Sequence, residues 1–270
     1  MAAVPLEAAI GELGAKRAAE GGLTADCVLE TIGPGFTSLL DLLPSTDTPA
    51  VIPVDARAPC THARLRRFVE EIGPVFWRHY VGRNDRVAIL LPNGPELAVA
   101  FVAVLSYCTC APLNPANTPQ EIMGELKNVG ARAMIIMAGE DNDELMTIAE
   151  QLDIRVLEAT VAPDDCAGIF TLVDALAGLR ENTPDAAESR PVKDGAWDAP
   201  QGRLDTAMVL HTSGSTGNKK VVPHLLEDLL AGAVCIAAAC ELKPTDVCCN
   251  QARGRPARTI GPSEAGSGVG

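Results

Sequence analysis

The chain has 270 residues, 47% hydrophobic and 21% charged, the composition of a water-soluble globular protein with material for one large core or two modest ones. A net charge of −13 argues against a nucleic-acid or anionic-membrane surface, which needs a basic face, so an anionic ligand must be held by local donors. The longest apolar runs, near 97–105 and 229–240, fall short of the ~20 residues that span a bilayer.

Nine scattered cysteines with no secretory signal ahead of them point to reduced thiols in an intracellular compartment. Cys108-Thr-Cys110 and Cys248-Cys249 lack the spacing of a zinc knuckle and read as free thiols. Residues 1–34 form an alanine- and glycine-rich leader of mixed charge, with a possible short helix over 6–19. It has neither the apolar centre of a secretory signal nor the acid-poor character of a transit peptide, and no function attaches to it.

From Thr37 the texture is that of a folded domain. Residues 61–73 combine a hydroxyl cap at Thr61, apolar positions at Leu65, Phe68, Val69 and Ile72, and a glycine stop at Gly73, which predicts an amphipathic helix with Arg64, Arg66 and Arg67 on its solvated face. His62 is expected at the surface or in the cap. Residues 86–91 read as a buried strand, 92–95 as a turn and 96–107 as an apolar helix. Thr118-Pro-Gln-Glu121 is a capping box opening a helix that ends at Gly130, and residues 132–137 form the next strand. A helix near 143–152 and a strand near 155–157 continue the alternation. This pattern implies an α/β fold with a mostly parallel sheet flanked by helices.

Residues 180–203 are polar and proline-containing, a surface excursion that Trp197 is expected to pin to the body. Next comes the segment with the strongest chemical character. The apolar run 206–210 breaks into His211-Thr-Ser-Gly-Ser-Thr-Gly-Asn-Lys-Lys220, a loop with two glycines, four hydroxyl side chains and two lysines. Glycines let backbone N–H groups converge on an anion, and hydroxyls and an ammonium add donors, so the loop reads as a phosphate cradle. It is not the Walker pattern: the glycines lie three residues apart and no Gly-Lys-Ser/Thr follows. On composition alone a plain turn between two apolar runs fits as well. A loop after a strand of a parallel sheet would sit at the strands' carboxyl ends, where ligands bind. Residues 224–240 then read as an apolar helix with Glu227 and Asp228 in its first turn, and His224 as a cap or satisfied polar neighbour.

Thr212 to Gly217, with Lys220, resembles the phosphate-binding loop of the adenylate-forming enzymes: acyl-CoA synthetases, luciferases and peptide-synthetase adenylation domains. Lys219 stands where that family has proline, and Val221 where it has glycine. Two earlier segments add to the likeness: Val-Ala-Ile-Leu-Leu-Pro-Asn-Gly-Pro-Glu at 87–96 and Ala-Pro-Leu-Asn-Pro-Ala-Asn-Thr at 111–118. In order, the three resemble the early part of acyl-CoA synthetases over about 37–250. The His-Thr-Ser-Gly start and Val222-Pro223 are most similar to the oxalate–CoA ligase type.

The resemblance implies ATP-dependent activation of a small-molecule carboxylic acid to an acyl-adenylate, then transfer to coenzyme A, with Mg²⁺ accompanying ATP. It assigns nucleotide binding to Thr212, Ser213, Gly214, Ser215, Thr216, Gly217 and Lys220, and a catalytic part to Lys220 and Thr216. The acidic partner of Mg²⁺ comes later in that family and has no match here, so the metal ligand stays unknown. His224 does not align with the histidine that many members carry after the loop. Asp246-Val-Cys-Cys-Asn250 looks like the start of the next family strand, but 251–270 departs from the pattern and reads as a flexible tail. The expected organisation is therefore a leader (1–34), an incomplete N-terminal AMP-binding domain (35–250) and an off-pattern tail (251–270). A shifted reading frame or splice junction near Asn250 would account for it. Such a truncated chain is expected to have little ligase turnover, leaving a non-catalytic nucleotide-binding fragment or an unstable product as the alternatives. The compartment is expected to be the cytoplasm or peroxisome, with no targeting signal found; oligomeric state is not encoded legibly.

Overall fold

A computed structural model describes residues 36–139, 141–161, 164–176, 197–212, 220–243 and 245–248. The leader, most of the 180–203 excursion and the tail lie outside the described residues.

The centre is β3 (Arg86–Leu90), whose run Val87–Leu90 is buried on both faces. Side chains alternate across a strand, so its two faces feed two cores. Val87 and Ile89 pack into one core with Leu65, Phe68, Val69 and Phe76 of α1 (His62–Arg78) and Val99, Ala103 and Val104 of α2 (Pro95–Tyr107). Ala88 and Leu90 pack into the other with Ile122 and Leu126 of α3 (Pro119–Val129) and Ile148 and Ala149 of α4 (Asp143–Leu152). Apolar burial at about 25 cal/mol per Å² is what drives such layering.

The remaining strands of the main sheet are β4 (Thr109–Pro112), β5 (Ala133–Met137), β6 (Arg155–Val161), β7 (Phe170–Asp174), β8 (Thr206–His211) and β9 (Val221–Leu225). They lie in the order β7-β6-β5-β3-β4-β8-β9. β3, β4, β5, β6 and β8 are parallel, while β7 and β9 are antiparallel edges. A small antiparallel pair, β1 (Pro49–Val51) and β2 (Cys60–Thr61), precedes α1. The mostly parallel sheet flanked by helices is the fold expected from the alternation of elements.

Local signals explain the elements that match. The Thr61 hydroxyl accepts from the Arg64 N–H, capping α1. α3 carries the full Thr118–Glu121 box and ends at Gly130 in the left-handed region, φ 61°. α4 spans the expected residues.

Several boundaries differ. α1 does not stop at Gly73 but runs on to Arg78, through Pro74. Gly73 is a contact point instead: a Cβ there would stand 2.5 Å from the Tyr107 ring, which packs edge-on against Trp77 at 5.7 Å. The arginines of α1 are only partly a solvated face. Arg66 and Arg67 bond Glu70 and Glu71 one turn on, but Arg66 also donates to the carbonyls of Leu40 and Leu43, and Arg64 reaches Asp165 at 3.0 Å. His224 is neither a cap nor in a helix; it lies in β9, and the last helix, α5 (Leu226–Ala239), starts two residues later with Glu227 and Asp228 in its first turn. β6 extends to Val161 because β7, unanticipated, pairs with its second half. Residues 245–248 form no strand.

Trp197 does pin its segment. Its carbonyl accepts from the Arg83 N–H at 2.9 Å, and its ring and backbone cover Gly82 so closely that a Cβ there would fall 2.3 Å from the carbonyl oxygen.

Candidate nucleotide site

β8 is fixed at its start by Asp205. That carboxylate takes a forked pair of bonds from Arg83, from Nε at 2.5 Å and Nη2 at 3.0 Å, and one from the Gly202 N–H at 2.6 Å. Bidentate guanidinium–carboxylate pairs set geometry as well as energy. In the sequence Asp205 is marked only as an acidic residue directly before a strand. From there β8 runs parallel to β4, tied at the start by the Thr109 hydroxyl donating to the Thr206 carbonyl at 2.5 Å.

At the other end, β8 and β9 form an antiparallel ladder closing at His211–Val221. One step further, the Thr212 N–H donates to the Lys220 carbonyl at 2.9 Å, and the Lys220 N–H donates to the Thr212 hydroxyl at 3.3 Å. The two ends of the expected phosphate loop are thereby joined at the carboxyl end of β8. Ser213, Gly214, Ser215, Thr216 and Gly217 lie outside the described residues. The Thr212 hydroxyl oxygen is an acceptor in the loop neck, and its hydrogen has no acceptor among the described residues. The Lys220 side chain is exposed and makes no ion pair among the described residues. His211 holds its Nε2 buried without a hydrogen-bond partner among the described residues.

Val221, where the resembled loop has glycine, takes the extended conformation of β9 and packs on Ala111, Val129 and Val209. It is not among the described non-glycine residues with positive φ, which are Tyr80, Asn84, Asp153 and Glu241. The substitution is therefore compatible with an unstrained backbone next to Lys220.

The place of the loop in the sheet matters as much as its composition. The chain leaves β3 for β4 through α2 on one face, and leaves β4 for β5 through α3 on the other. Connections diverge between β3 and β4, making a topological switch point, and β8 lies next to β4. The two neighbouring turns are held rigidly. After β4, Asn114 Nδ2 donates to Asn117 Oδ1 at 3.0 Å, and Asn117 Nδ2 donates to the buried Glu125 carboxylate at 3.1 and 3.2 Å. After β3, Glu96 in the first turn of α2 is buried and accepts from Arg57 and from the Gly168 N–H at 3.1 Å. Gly168 has φ +90°, and a Cβ there would stand 2.5 Å from Val99 Cγ2. Arg57 is held more firmly protonated than usual, chiefly by its hydrogen bonds to Asp55 and then to Glu96. Among the described residues no group of three or more His, Cys, Asp or Glu side chains could hold a metal ion. No helix there is long and apolar enough to cross a membrane.

The model of the AMP-binding enzyme family matches residues 44–252. The chain belongs to the AMP-binding enzyme family. The matched span contains the whole described sheet and the Thr212–Lys220 loop, as the adenylate-forming resemblance implied. Oxalate–CoA ligase of Arabidopsis thaliana is 29% identical over 195 residues, 72% of this chain and 35% of that enzyme. Nonribosomal peptide synthetase 8 of Aspergillus fumigatus is 28% identical over 181 residues, 66% of this chain and 2% of that protein. Among solved structures, apo MatB from Rhodopseudomonas palustris superposes with a TM-score of 0.55 at 22% identity, covering 74% of this chain and 36% of that one. o-Succinylbenzoate CoA synthetase (MenE) from Bacillus subtilis does so with 0.56 at 19%, covering 78% and 38%. The chain spans about a third of the length of the curated CoA ligases that it matches.

Proposed function

We propose that this chain is the phosphate-holding part of an ATP-dependent acid–CoA ligase. The carrying observation is that Thr212 and Lys220 close a glycine- and hydroxyl-rich loop at the carboxyl end of β8, beside the switch point of the sheet. In the reaction, a carboxylate oxygen attacks the α-phosphorus of ATP, taken as its magnesium complex, and pyrophosphate leaves. The resulting acyl-adenylate is a mixed anhydride with a good leaving group, so the thiol of coenzyme A can displace AMP and form a thioester. This chain's part is electrostatic. The Lys220 ammonium and the hydroxyls of Thr212, Ser213, Ser215 and Thr216 stabilise charge on the departing pyrophosphate, and Gly214 and Gly217 let backbone N–H groups approach it. The acid is a small-molecule carboxylate. Support for the class comes from relatives named as CoA ligases for oxalate, 4-coumarate and long-chain fatty acids.

We further propose that the 270-residue chain binds ATP but turns over little or none alone, because the matched span is a minor part of each CoA ligase relative. Two measurements on the purified chain test this together. ATP binding by equilibrium dialysis should be saturable and should weaken at least tenfold in Lys220→Ala. Acid-dependent exchange of labelled pyrophosphate into ATP should be near background. Absence of ATP binding by a cooperatively folded chain would sink the nucleotide role, while vigorous exchange would sink only the claim of inactivity. Release of phosphate instead of pyrophosphate would indicate a different nucleotide chemistry.

A further inference from the structure

Away from the nucleotide loop, two cysteines that the family reading does not use face each other across a built junction. Cys60 lies in β2 and is fully buried in the core beneath α1 and α2. Cys166 lies in the segment leading to β7, half-buried against the same core. The Cys60 thiol donates to the Thr61 carbonyl at 3.5 Å, and it lies close enough to the Cys166 thiol for the two to interact. The two segments are fastened together close to the pair: the Ala167 N–H donates to the Ala58 carbonyl at 2.9 Å, and Arg64 Nη2 meets Asp165 Oδ2 at 3.0 Å. Asp165 is itself turned inward, accepting from the Cys166 N–H at 2.8 Å. The sulfurs are thus brought together by backbone and ion-pair contacts on either side, not by a chance approach of two flexible side chains.

We propose that Cys60 and Cys166 form a reversible disulfide, with Cys166 as the point of entry for an external disulfide oxidant. The accessible Cys166 loses its proton and attacks one sulfur of the oxidant R–S–S–R, releasing one RS⁻ and leaving a mixed disulfide. Cys60 then loses its proton and attacks the Cys166 sulfur, releasing the second RS⁻. Two protein thiols are oxidised, one small-molecule disulfide is reduced to two thiols, and the two protons end on the RS⁻ groups. Burial raises both thiols, Cys60 to about 12, so the exchange is slow at neutral pH and accelerates with alkali. Arg64 opposes that rise at both sulfurs. The bridge would join the start of α1 to the segment whose Gly168 N–H bonds Glu96, and so would lock the clamp at the amino end of α2.

The test uses the whole chain incubated with oxidised glutathione near pH 8, quenched by alkylation, digested with protease and read by mass spectrometry. The expected product is a Cys60–Cys166 linked peptide pair that dithiothreitol separates. The oxidised protein should also melt at a higher temperature, because the bridge constrains the unfolded chain. Cys60→Ala should instead trap glutathione on Cys166. The inference is overturned if wild-type Cys166 keeps a glutathione adduct while Cys60 is alkylated, or if only the exposed Cys240 and Cys248 react. A 60–166 link that forms equally well in concentrated urea overturns it too, since the fold would then not be what pairs the sulfurs.

Discussion

Lys220 and Val221 occupy adjacent positions and do opposite work. Lys220 presents an exposed ammonium beside the loop neck, whereas Val221 turns back into the sheet against Ala111, Val129 and Val209. In an active ligase containing this segment, Lys220→Ala should cost on the order of 2–4 kcal/mol of transition-state stabilisation, the range for loss of one preorganised donor, with stability little changed. The measurement is the rate of pyrophosphate exchange alongside a urea melt. Val221→Gly restores the residue of the resembled loop but removes a packed, β-branched strand residue. It should destabilise the chain by roughly 1 kcal/mol without improving ATP affinity. Tighter ATP binding by that variant would show that the backbone at 221 needs glycine's freedom after all. Gly168 is the sharper case. Alanine there meets both an unfavourable φ and the Val99 side chain at 2.5 Å, so Gly168→Ala should lower stability by about 2–4 kcal/mol, read from the denaturation midpoint.

Among the elements, those with self-contained signals were legible in the sequence. The capping box at Thr118–Glu121, the continuous apolar run of β3 and the α4 periodicity each specify an element without reference to the rest of the chain. The failures fall where tertiary context overrides a local rule. Gly73 looks like a stop but serves as the flat spot that admits the Tyr107 ring. The end of β9, His224 and Leu225, reads as the start of the apolar helix 224–240; pairing with β8 makes it strand. β7 is hidden because its outward Val173 is apolar and 56% exposed while its inward Asp174 is charged and buried, which inverts the expected alternation. Composition marked a break between two apolar runs after β8, but not the neck bond from the Lys220 N–H to the Thr212 hydroxyl, because that bond depends on the ladder. The Arg57–Glu96 pair was equally invisible, its partners lying 39 residues apart. Removing one member of a largely buried ion pair leaves the other uncompensated, so Glu96→Ala should cost about 3 kcal/mol, measured by urea denaturation. If the cost were instead a few tenths, Arg57 would be held well enough by Asp55 alone.

For the molecule as a whole, the arrangement separates a deep core from a working edge. β3, β5 and β6 supply the core, and the turns after β3 and β4 and the Thr212–Lys220 neck after β8 lie at the carboxyl side of the parallel strands. Acid should test the core before the edge. His79, which caps the end of α1, is pushed below its ordinary value of 6.5 by burial, against the opposing pull of the Asp174 carboxylate and with Arg155 and Arg78 adding to the depression. With the folded value below the unfolded one, the unfolded chain binds more protons in that interval, so stability rises with pH. The contribution is fully present above about 6.5 and is lost as pH falls from there through the folded value. The carboxylate of Asp165 adds a second loss at lower pH. Burial disfavours its charge, but the Cys166 N–H and Arg64 outweigh that and hold it below 3.8. Melting temperature should therefore decline in two stages on acidification. His79→Gln should flatten the first stage and leave the second, and an unchanged first stage in that variant would move the acid sensitivity to another group.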